Sequence, residues 1–197
     1  MMNPMTGDLL DALISKGKKG KQVVEDRSHE EVAKDKVIKN EQGQIGLPPE
    51  YLYACLNNAG RNVAFDTKKK MATATSSLIP SFLTIENEFL KFKNQKEPMV
   101  VDKRRGVLNN AGKMVAVGIL RPKFKNWEFE IDLIVDEKEI NPAKIKELFE
   151  KAGNTIGLGD FRPQKRGPFG RFMVAVWQVV GEKQSNGVGS AKEAASA

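Results

Sequence analysis

The sequence predicts an α+β fold in which an antiparallel sheet carries two main helices on one face. Apolar residues recur at helical spacing over 48–60, and from Leu78 their period changes to two. The helical period returns after Asn141, and an apolar run over 172–180 follows that second helix. A helix, then antiparallel strands, then a helix and a last strand is an order typical of α+β domains.

The first helix is predicted over 48–60. Pro49 suits its first turn, and Gly60 suits its end. Its apolar positions follow the i, i+3, i+4, i+7 pattern: Leu52, Cys55, Leu56 and Ala59. This pattern predicts that the cysteine is a core residue rather than a nucleophile.

The period of two predicts strands over 82–92, 99–107 and 114–120, with Pro98 as a breaker between the first two. The segment Asn109-Asn110-Ala111-Gly112 is a hairpin-type connection. We therefore expect 101–108 and 114–120 to pair antiparallel.

Residues 127–135 alternate between apolar side chains and the carboxylates Glu128, Glu130 and Asp132. Carboxylates at this spacing fit acid–base or metal chemistry, and they also fit a half-exposed strand of an antiparallel sheet. We favour the strand, with Trp127 in the core rather than against a base.

The second helix is predicted to begin at Asn141 and Pro142, as a cap and first residue, and to end at Gly153. Its buried stripe is Ile145, Leu148, Phe149 and Ala152. The run 172–180, apolar on both faces, is then predicted to be a central strand. Antiparallel strands, a crossover helix and a returning strand are half of a ferredoxin-like unit. A right-handed crossover places both helices on one face and leaves the other face for binding.

Composition divides the chain into three parts. Residues 1–44 are predicted to form a flexible charged arm with a short helix at Leu9–Ile14, and 45–181 the folded, nucleic-acid-binding domain. Residues 182–197, rich in Ser, Ala and Gly, are predicted to be a disordered tail.

The overall charge favours a polyanionic partner, because 32 Lys and Arg face 25 Asp and Glu, a net charge of +7. The chain has one histidine and one cysteine, which are too few for a cysteine zinc cluster or a disulfide framework. We expect no metal or cofactor. No signal peptide is evident and no apolar run approaches the roughly 20 residues of a membrane span, so we expect a soluble, cytoplasmic protein without a membrane partner.

The candidate site is the stretch 157–172, called here the glycine-rich loop. Its sixteen positions hold four glycines, two prolines, three phenylalanines and four basic residues, so that cations alternate with flexible backbone. Backbone N–H groups and guanidinium forks together form a natural cradle for phosphates. The alternative is a loop whose glycines close a turn and whose arginines are only solvated. The pattern is neither a P-loop nor G-x-G-x-x-G before a helix.

Four segments, 48–58, 104–107, 120–130 and 157–172, resemble in that order a family of phage and prophage proteins related to the RAMP superfamily of CRISPR-associated RNA-binding proteins. The specific part is the pair Ile156-Gly-Leu-Gly-Asp-Phe-Arg-Pro163 and Gly167-Pro-Phe-Gly-Arg-Phe172. The resemblance implies a ferredoxin-like fold with a glycine-rich loop late in the chain, and it supplies no catalytic residue.

By that resemblance, Gly157, Gly159, Arg162, Gly170 and Arg171 shape or line an RNA-facing loop. From the residues themselves we add the other basic candidates of the loop and the strand ends: Lys103, Arg104, Arg105, Arg121, Lys123, Lys125, Lys165 and Arg166. Exposed members of Phe161, Phe169 and Trp127 are candidates for base stacking.

We therefore expect a phage-encoded, non-catalytic protein that binds single-stranded or structured RNA, largely without sequence preference, in the cytoplasm of the infected host. The alternatives are a metal-independent endoribonuclease, a single-stranded DNA-binding protein and an assembly protein. Relatives begin with an apolar strand before the first helix. Here the edge strand is missing, or 38–47 replaces it, or another chain completes the sheet as a homo-oligomer.

Overall fold

The computed structural model of the protein describes residues 28–93, 99–110 and 112–180. The fold is mixed α/β with small antiparallel sheets. Its helices are α1 (His29–Lys34), α2 (Pro49–Gly60), α3 (Ile79–Phe82) and α4 (Pro142–Lys151). Its strands are β1 (Gly46–Leu47), β2 (Leu83–Ile85), β3 (Leu90–Lys91), β4 (Val100–Asn110), β5 (Lys113–Lys123) and β6 (Leu133–Val135). The helix predicted at Leu9–Ile14 and the tail 182–197 lie outside the described residues.

Both main helices form where the sequence predicts them. Helix α2 starts with proline in its first turn, and helix α4 starts at Asn141, whose side-chain oxygen accepts a hydrogen bond from the Ala143 N–H at 2.8 Å. Their predicted stripes are all buried in one hydrophobic core: Leu52, Cys55, Leu56, Ala59, Ile145, Leu148, Phe149 and Ala152. Helical periodicity over three turns therefore located the core faces correctly.

The helical path continues beyond the end of α4. The helix continues through a π-helical turn, Ala152–Ile156, and stops at Gly157, where φ is +74°. Gly153 is instead a point of close approach, because a β-carbon there would overlap the backbone carbonyl of Phe172. The α-helix itself ends at Lys151, close to the predicted end at Gly153, but it is the returning chain that requires this glycine.

The strands form three two-stranded antiparallel sheets in the described residues: β1 with β3, β2 with β6, and β4 with β5. The predicted hairpin is confirmed as β4–β5, with Arg104 opposite Ile119 and Asn110 opposite Lys113. The strand predicted over 82–92 is divided into β2 and β3, and the one over 127–135 shortens to β6.

Residues 171–180 form no helix and pair with no strand of the described chain, so the prediction of a central strand over 172–180 was wrong. Only one side of this segment is covered: Phe172, Val174 and Trp177 pack against the core, while Met173 and Val180 are 84% and 88% exposed. Apolar composition predicted two buried faces, but the segment buries one. The small sheets are therefore not joined into a single ladder.

Residues 38–47 form a small turn followed by a short strand ahead of α2. They turn back on themselves at 40–44, where the Asn40 N–H donates to the Gln44 carbonyl at 3.0 Å. Strand β1 then pairs with β3, with Gly46 opposite Lys91.

Helix α1, with a capping box at Ser28, packs on β5. Next to it, the Lys36 ammonium donates to the Leu120 carbonyl at 3.0 Å, and desolvation and Arg121 lower the pKa of that ammonium. Among the described residues, no helix combines the length and apolar character needed to cross a bilayer.

Candidate nucleic-acid interface

The glycine-rich loop is a closed, cross-braced turn. The Leu158 N–H donates to the Gly170 carbonyl at 2.8 Å, and the Phe169 N–H donates to the Phe161 carbonyl at 3.0 Å. These two bonds join the start of the loop to its end, so the segment between them is held at both sides. The loop is thus a fixed scaffold for its side chains.

Two glycines make this closure possible. Gly157 and Gly170 both have φ of +74°, a region that residues with a β-carbon avoid. A β-carbon at Gly157 would lie 2.9 Å from the Gly170 carbonyl oxygen, and one at Gly170 would overlap the Leu158 carbonyl oxygen. Both predicted glycines therefore shape the loop, because the two chain segments cross where a side chain would stand.

The tip of the loop presents cations to solvent. Pro163–Lys165 form a short 3₁₀ helix, and Arg166 follows in the left-handed region with φ of 62°. The side chains of Lys165, Arg166 and Arg171 are exposed. Within the described residues, none of these three side chains forms an ion pair or a hydrogen bond, so their charge is available to a ligand.

Arg162 differs from these three, because it folds back on its own loop and is half-buried. Its Nε and one terminal nitrogen donate to the Gln164 side-chain oxygen at 3.1 and 3.0 Å, and the other terminal nitrogen donates to the Gly159 carbonyl at 2.9 Å. The carboxylate of Asp160 pairs with Arg121 instead. Arg162 thus braces the loop and keeps its positive charge.

The β4–β5 hairpin docks on the loop through cations. The Arg104 guanidinium lies 4.2 Å from the centre of the Phe161 ring, and the Lys123 ammonium lies 3.7 Å from the centre of the Phe169 ring. The two rings meet edge to face at 5.8 Å. Together with the Arg121–Asp160 ion pair, these contacts form what we call the hairpin clasp.

Strand register explains why these three cations act together. Arg121 lies opposite Asp102, so Arg104, Arg121 and Lys123 share one face of the hairpin. Arg104 Nε is also 3.0 Å from a carboxylate oxygen of Asp102, an ion pair whose geometry leaves that buried nitrogen without a hydrogen bond. These predicted nucleic-acid contacts are therefore engaged inside the protein.

The remaining hairpin candidates point elsewhere. Lys103 and Arg105 lie on the opposite face of β4 and are exposed, and Lys125 is exposed just after β5. The predicted basic site thus divides between a docked face, an outer hairpin face and the tip of the loop.

The alternating carboxylates after β5 have structural partners. Lys93 forms ion pairs with Glu128, at 3.1 Å, and with Glu130, while Asn87 donates to the Asp132 carboxylate at 3.3 Å. Trp127 stacks on Phe129 at 5.8 Å, which supports its reading as a core residue. Among the described residues, no three metal-ligating side chains gather at one place.

Cys55 lies beneath the loop. Its thiol donates to the Gly157 carbonyl at 3.3 Å, and burial raises its pKa to about 12, against the opposing effect of nearby Arg162. A small pocket of about 50 Å³ opens here between α2 and the loop, lined by Tyr51, Cys55, Gly157, Gly159 and Arg162.

Sequence reasoning did not place Tyr51 beside the loop, although this residue stands one helical turn before Cys55 and so on the same side of α2. It also missed the pairing of rings and cations in the hairpin clasp, whose members are far apart in the chain. Comparison of this chain with protein-family models, with curated proteins and with solved structures finds no match.

Proposed function

We propose that this is a phage-encoded, non-catalytic RNA-binding protein that acts in the cytoplasm of the infected bacterial host. The observation that carries the proposal is the glycine-rich loop, where Lys165 and Arg166 at the tip and Arg171 at the end stand exposed and unpaired on a backbone fixed by hydrogen bonds. A fixed backbone lowers the entropy cost of ordering the loop on a ligand. Exposed cations on such a scaffold suit the phosphates of a nucleic-acid strand.

Binding is expected to depend little on sequence. Phosphate contacts position a protein on a strand but carry no base information. The candidate stacking rings, Phe161 and Phe169, each have a cation over the ring, so bases have restricted access to them. Charge, rather than base reading, is therefore the main source of affinity.

We further infer that the fold is a variant of the ferredoxin-like arrangement of RAMP proteins. Two contacts support this: the rings of Trp127 and Phe172 meet at 6.2 Å, and those of Phe149 and Trp177 also meet at 6.2 Å. They place the segment 172–177 beside 127–129 and against α4, where a returning strand would lie. Backbone nuclear Overhauser effects between 127–132 and 172–178 test this inference, and their absence would remove it.

RNA cleavage without a metal needs a general acid or base, and the hydroxyl of one tyrosine that could serve, Tyr53, is occupied in the fold. Its hydroxyl accepts from the Ile85 N–H at 2.8 Å and lies 3.4 Å from the Leu83 carbonyl. That hydroxyl therefore ties α2 to β2. Labelled RNA incubated with the protein in EDTA should stay intact, and its cleavage would establish the nuclease.

The proposal is tested by two matched triple variants. The first, called the tip variant, removes three cations from the glycine-rich loop by the changes Lys165→Ala, Arg166→Ala and Arg171→Ala. The second removes three exposed lysines at and around α4 by the changes Lys138→Ala, Lys146→Ala and Lys151→Ala. For single-stranded RNA, we expect the tip variant to lose affinity about tenfold or more and to lower the slope of log K against log salt by about two. The melting temperature should change little in both.

Equal loss of affinity in both variants would show that only total charge matters, and unchanged affinity in the tip variant would refute the proposal. A DNA strand of the same sequence serves as the second ligand, and tighter binding of DNA would replace RNA with DNA as the partner. Size-exclusion chromatography before and after nuclease treatment distinguishes RNA-mediated association from an assembly protein.

A further inference from the structure

The pocket between α2 and the glycine-rich loop contains a positive charge that the protein does not neutralise. A guanidinium has five N–H donors, and Arg162 uses three of them, to Gln164 and to the Gly159 carbonyl. Within the described residues, no carboxylate pairs with it. Two donors and a full charge therefore remain at the rim of the pocket.

The other walls are compatible with an anion. Tyr51 lines the pocket and is 48% exposed, and a tyrosine hydroxyl is able to donate a hydrogen bond to an anion. Cys55 is neutral at physiological pH because its pKa is raised to about 12, so its thiol does not repel an anion. Gly157 and Gly159 add no side chains to the pocket, and their carbonyl oxygens already accept hydrogen bonds from Cys55 and Arg162 respectively.

The size of the pocket limits what it holds. Its volume is small, about 50 Å³, and its rim is open to solvent where Tyr51 and Gly159 are exposed. A single compact group such as phosphate suits a site of this size better than a whole nucleotide. Arginine favours such a group, because its planar fork matches two phosphate oxygens.

We propose that this pocket binds a single phosphate group through Arg162 and Tyr51. The group is either the terminal phosphate of an RNA strand or free inorganic phosphate. The first source rests on the proposed function, and the second does not.

The first experiment compares three forms of one short RNA: 5′-phosphorylated, 3′-phosphorylated and with hydroxyls at both ends. We expect one phosphorylated form to bind about tenfold tighter, as one charge-assisted hydrogen-bonded group contributes. Arg162→Gln should abolish this preference, and Tyr51→Phe, an exposed change that does not endanger the fold, should reduce it. Lys146→Ala, which removes one exposed positive charge on α4 outside both the loop and the pocket, should keep the preference.

The second experiment measures the melting temperature in inorganic phosphate against chloride at equal ionic strength. Phosphate should raise it in the wild type but not in Arg162→Gln. Stabilisation without any RNA binding would keep the pocket and refute the RNA function. If phosphate stabilises the protein but the three RNA forms bind with equal affinity, the pocket is assigned to free phosphate. The phosphate pocket is refuted if the protein shows neither a preference for a phosphorylated RNA end nor a higher melting temperature in phosphate. It is also refuted if both effects persist in Arg162→Gln.

Discussion

At Gly170 the glycine-rich loop has no room for a β-carbon. The left-handed backbone costs a residue with a side chain about 1–2 kcal/mol, and overlap with the Leu158 carbonyl adds to that cost. We expect Gly170→Ala to lower the free energy of unfolding by more than about 2 kcal/mol. Urea titration measures this change.

Gly159→Ala is the matched control. Gly159 also has a positive φ, of +88°, but a β-carbon there meets nothing within 4 Å. Its cost should be confined to the backbone term of about 1–2 kcal/mol. Equal destabilisation in both variants would show that the overlap at Gly170 is relieved by a small shift of the loop.

The buried thiol of Cys55 predicts a pH dependence of stability. Its pKa is about 12 in the folded protein against an ordinary 9.0, so the unfolded chain loses this proton first as pH rises. The contribution of the neutral thiol is complete below pH 9 and is lost between about pH 9 and 12. We expect Cys55→Ala to remove a downward slope of about 1.4 kcal/mol per pH unit in this range. Urea titrations at pH 8, 9 and 10 compare the two proteins, and parallel curves would contradict the prediction.

At the scale of elements, the hairpin clasp acts with α1 to hold β4–β5 on the domain. A cation over an aromatic ring contributes about 0.5–1 kcal/mol at exposed sites and about 2 kcal/mol when desolvated. We expect the double variant Arg104→Ala and Lys123→Ala to release the hairpin. Amide hydrogen exchange over 100–104 and 119–123 should then accelerate, while α2 and α4 keep their protection.

Arg105→Ala is the control for this change, since Arg105 is next to Arg104 but on the outer face of β4. It should leave hydrogen exchange unchanged. If it accelerates exchange as much as the double variant does, general charge removal and not the clasp is the cause.

Sequence patterns within a segment predicted the helices and the hairpin well, but they predicted poorly how distant segments pair and pack. The helices α2 and α4 and the β4–β5 hairpin follow from periodicity, caps and a turn sequence within each segment. The segment 171–180 has the composition of a buried strand, but pairing depends on partners elsewhere in the chain. For the site, positive φ at the loop glycines was expected from residue type. The docking of Lys123 on Phe169 was not, because a basic residue near a strand end has the same sequence pattern whether it is solvated or packed on a ring.

At the scale of the whole molecule, docking reduces the number of cations that meet a nucleic acid. Of the ten predicted basic residues, Arg104, Arg121 and Lys123 are engaged in the clasp, and Arg162 is half-buried. Five others are exposed without a described ion pair, Arg105, Lys125, Lys165, Arg166 and Arg171. Five phosphate contacts give a slope of about −3.5 in log K against log salt on a single strand, while ten would give about −7.

Binding of a fluorescent RNA between 50 and 200 mM salt measures this slope. At about −3.5, affinity falls roughly a hundredfold over that range. A slope near −7 would mean that the clasp opens on the ligand and lends its cations to it, and a slope near zero would remove electrostatics from binding altogether.

The position of the clasp along the hairpin also makes the hairpin a lever. All three contacts are on its proximal half, and from Arg104 to Asn110 the strand runs on for about 20 Å at ~3.4 Å per residue. A tilt of about ten degrees at the clasp therefore displaces the far end by roughly 3 Å, given that strand rise. Val107 and Met114, at the far end, are 53% and 73% exposed. A weak force on either residue is therefore transmitted along the hairpin to the loop at the clasp. Contact at this distal end, far from any phosphate, is thus a way to move Phe161 and Phe169 and with them the glycine-rich loop.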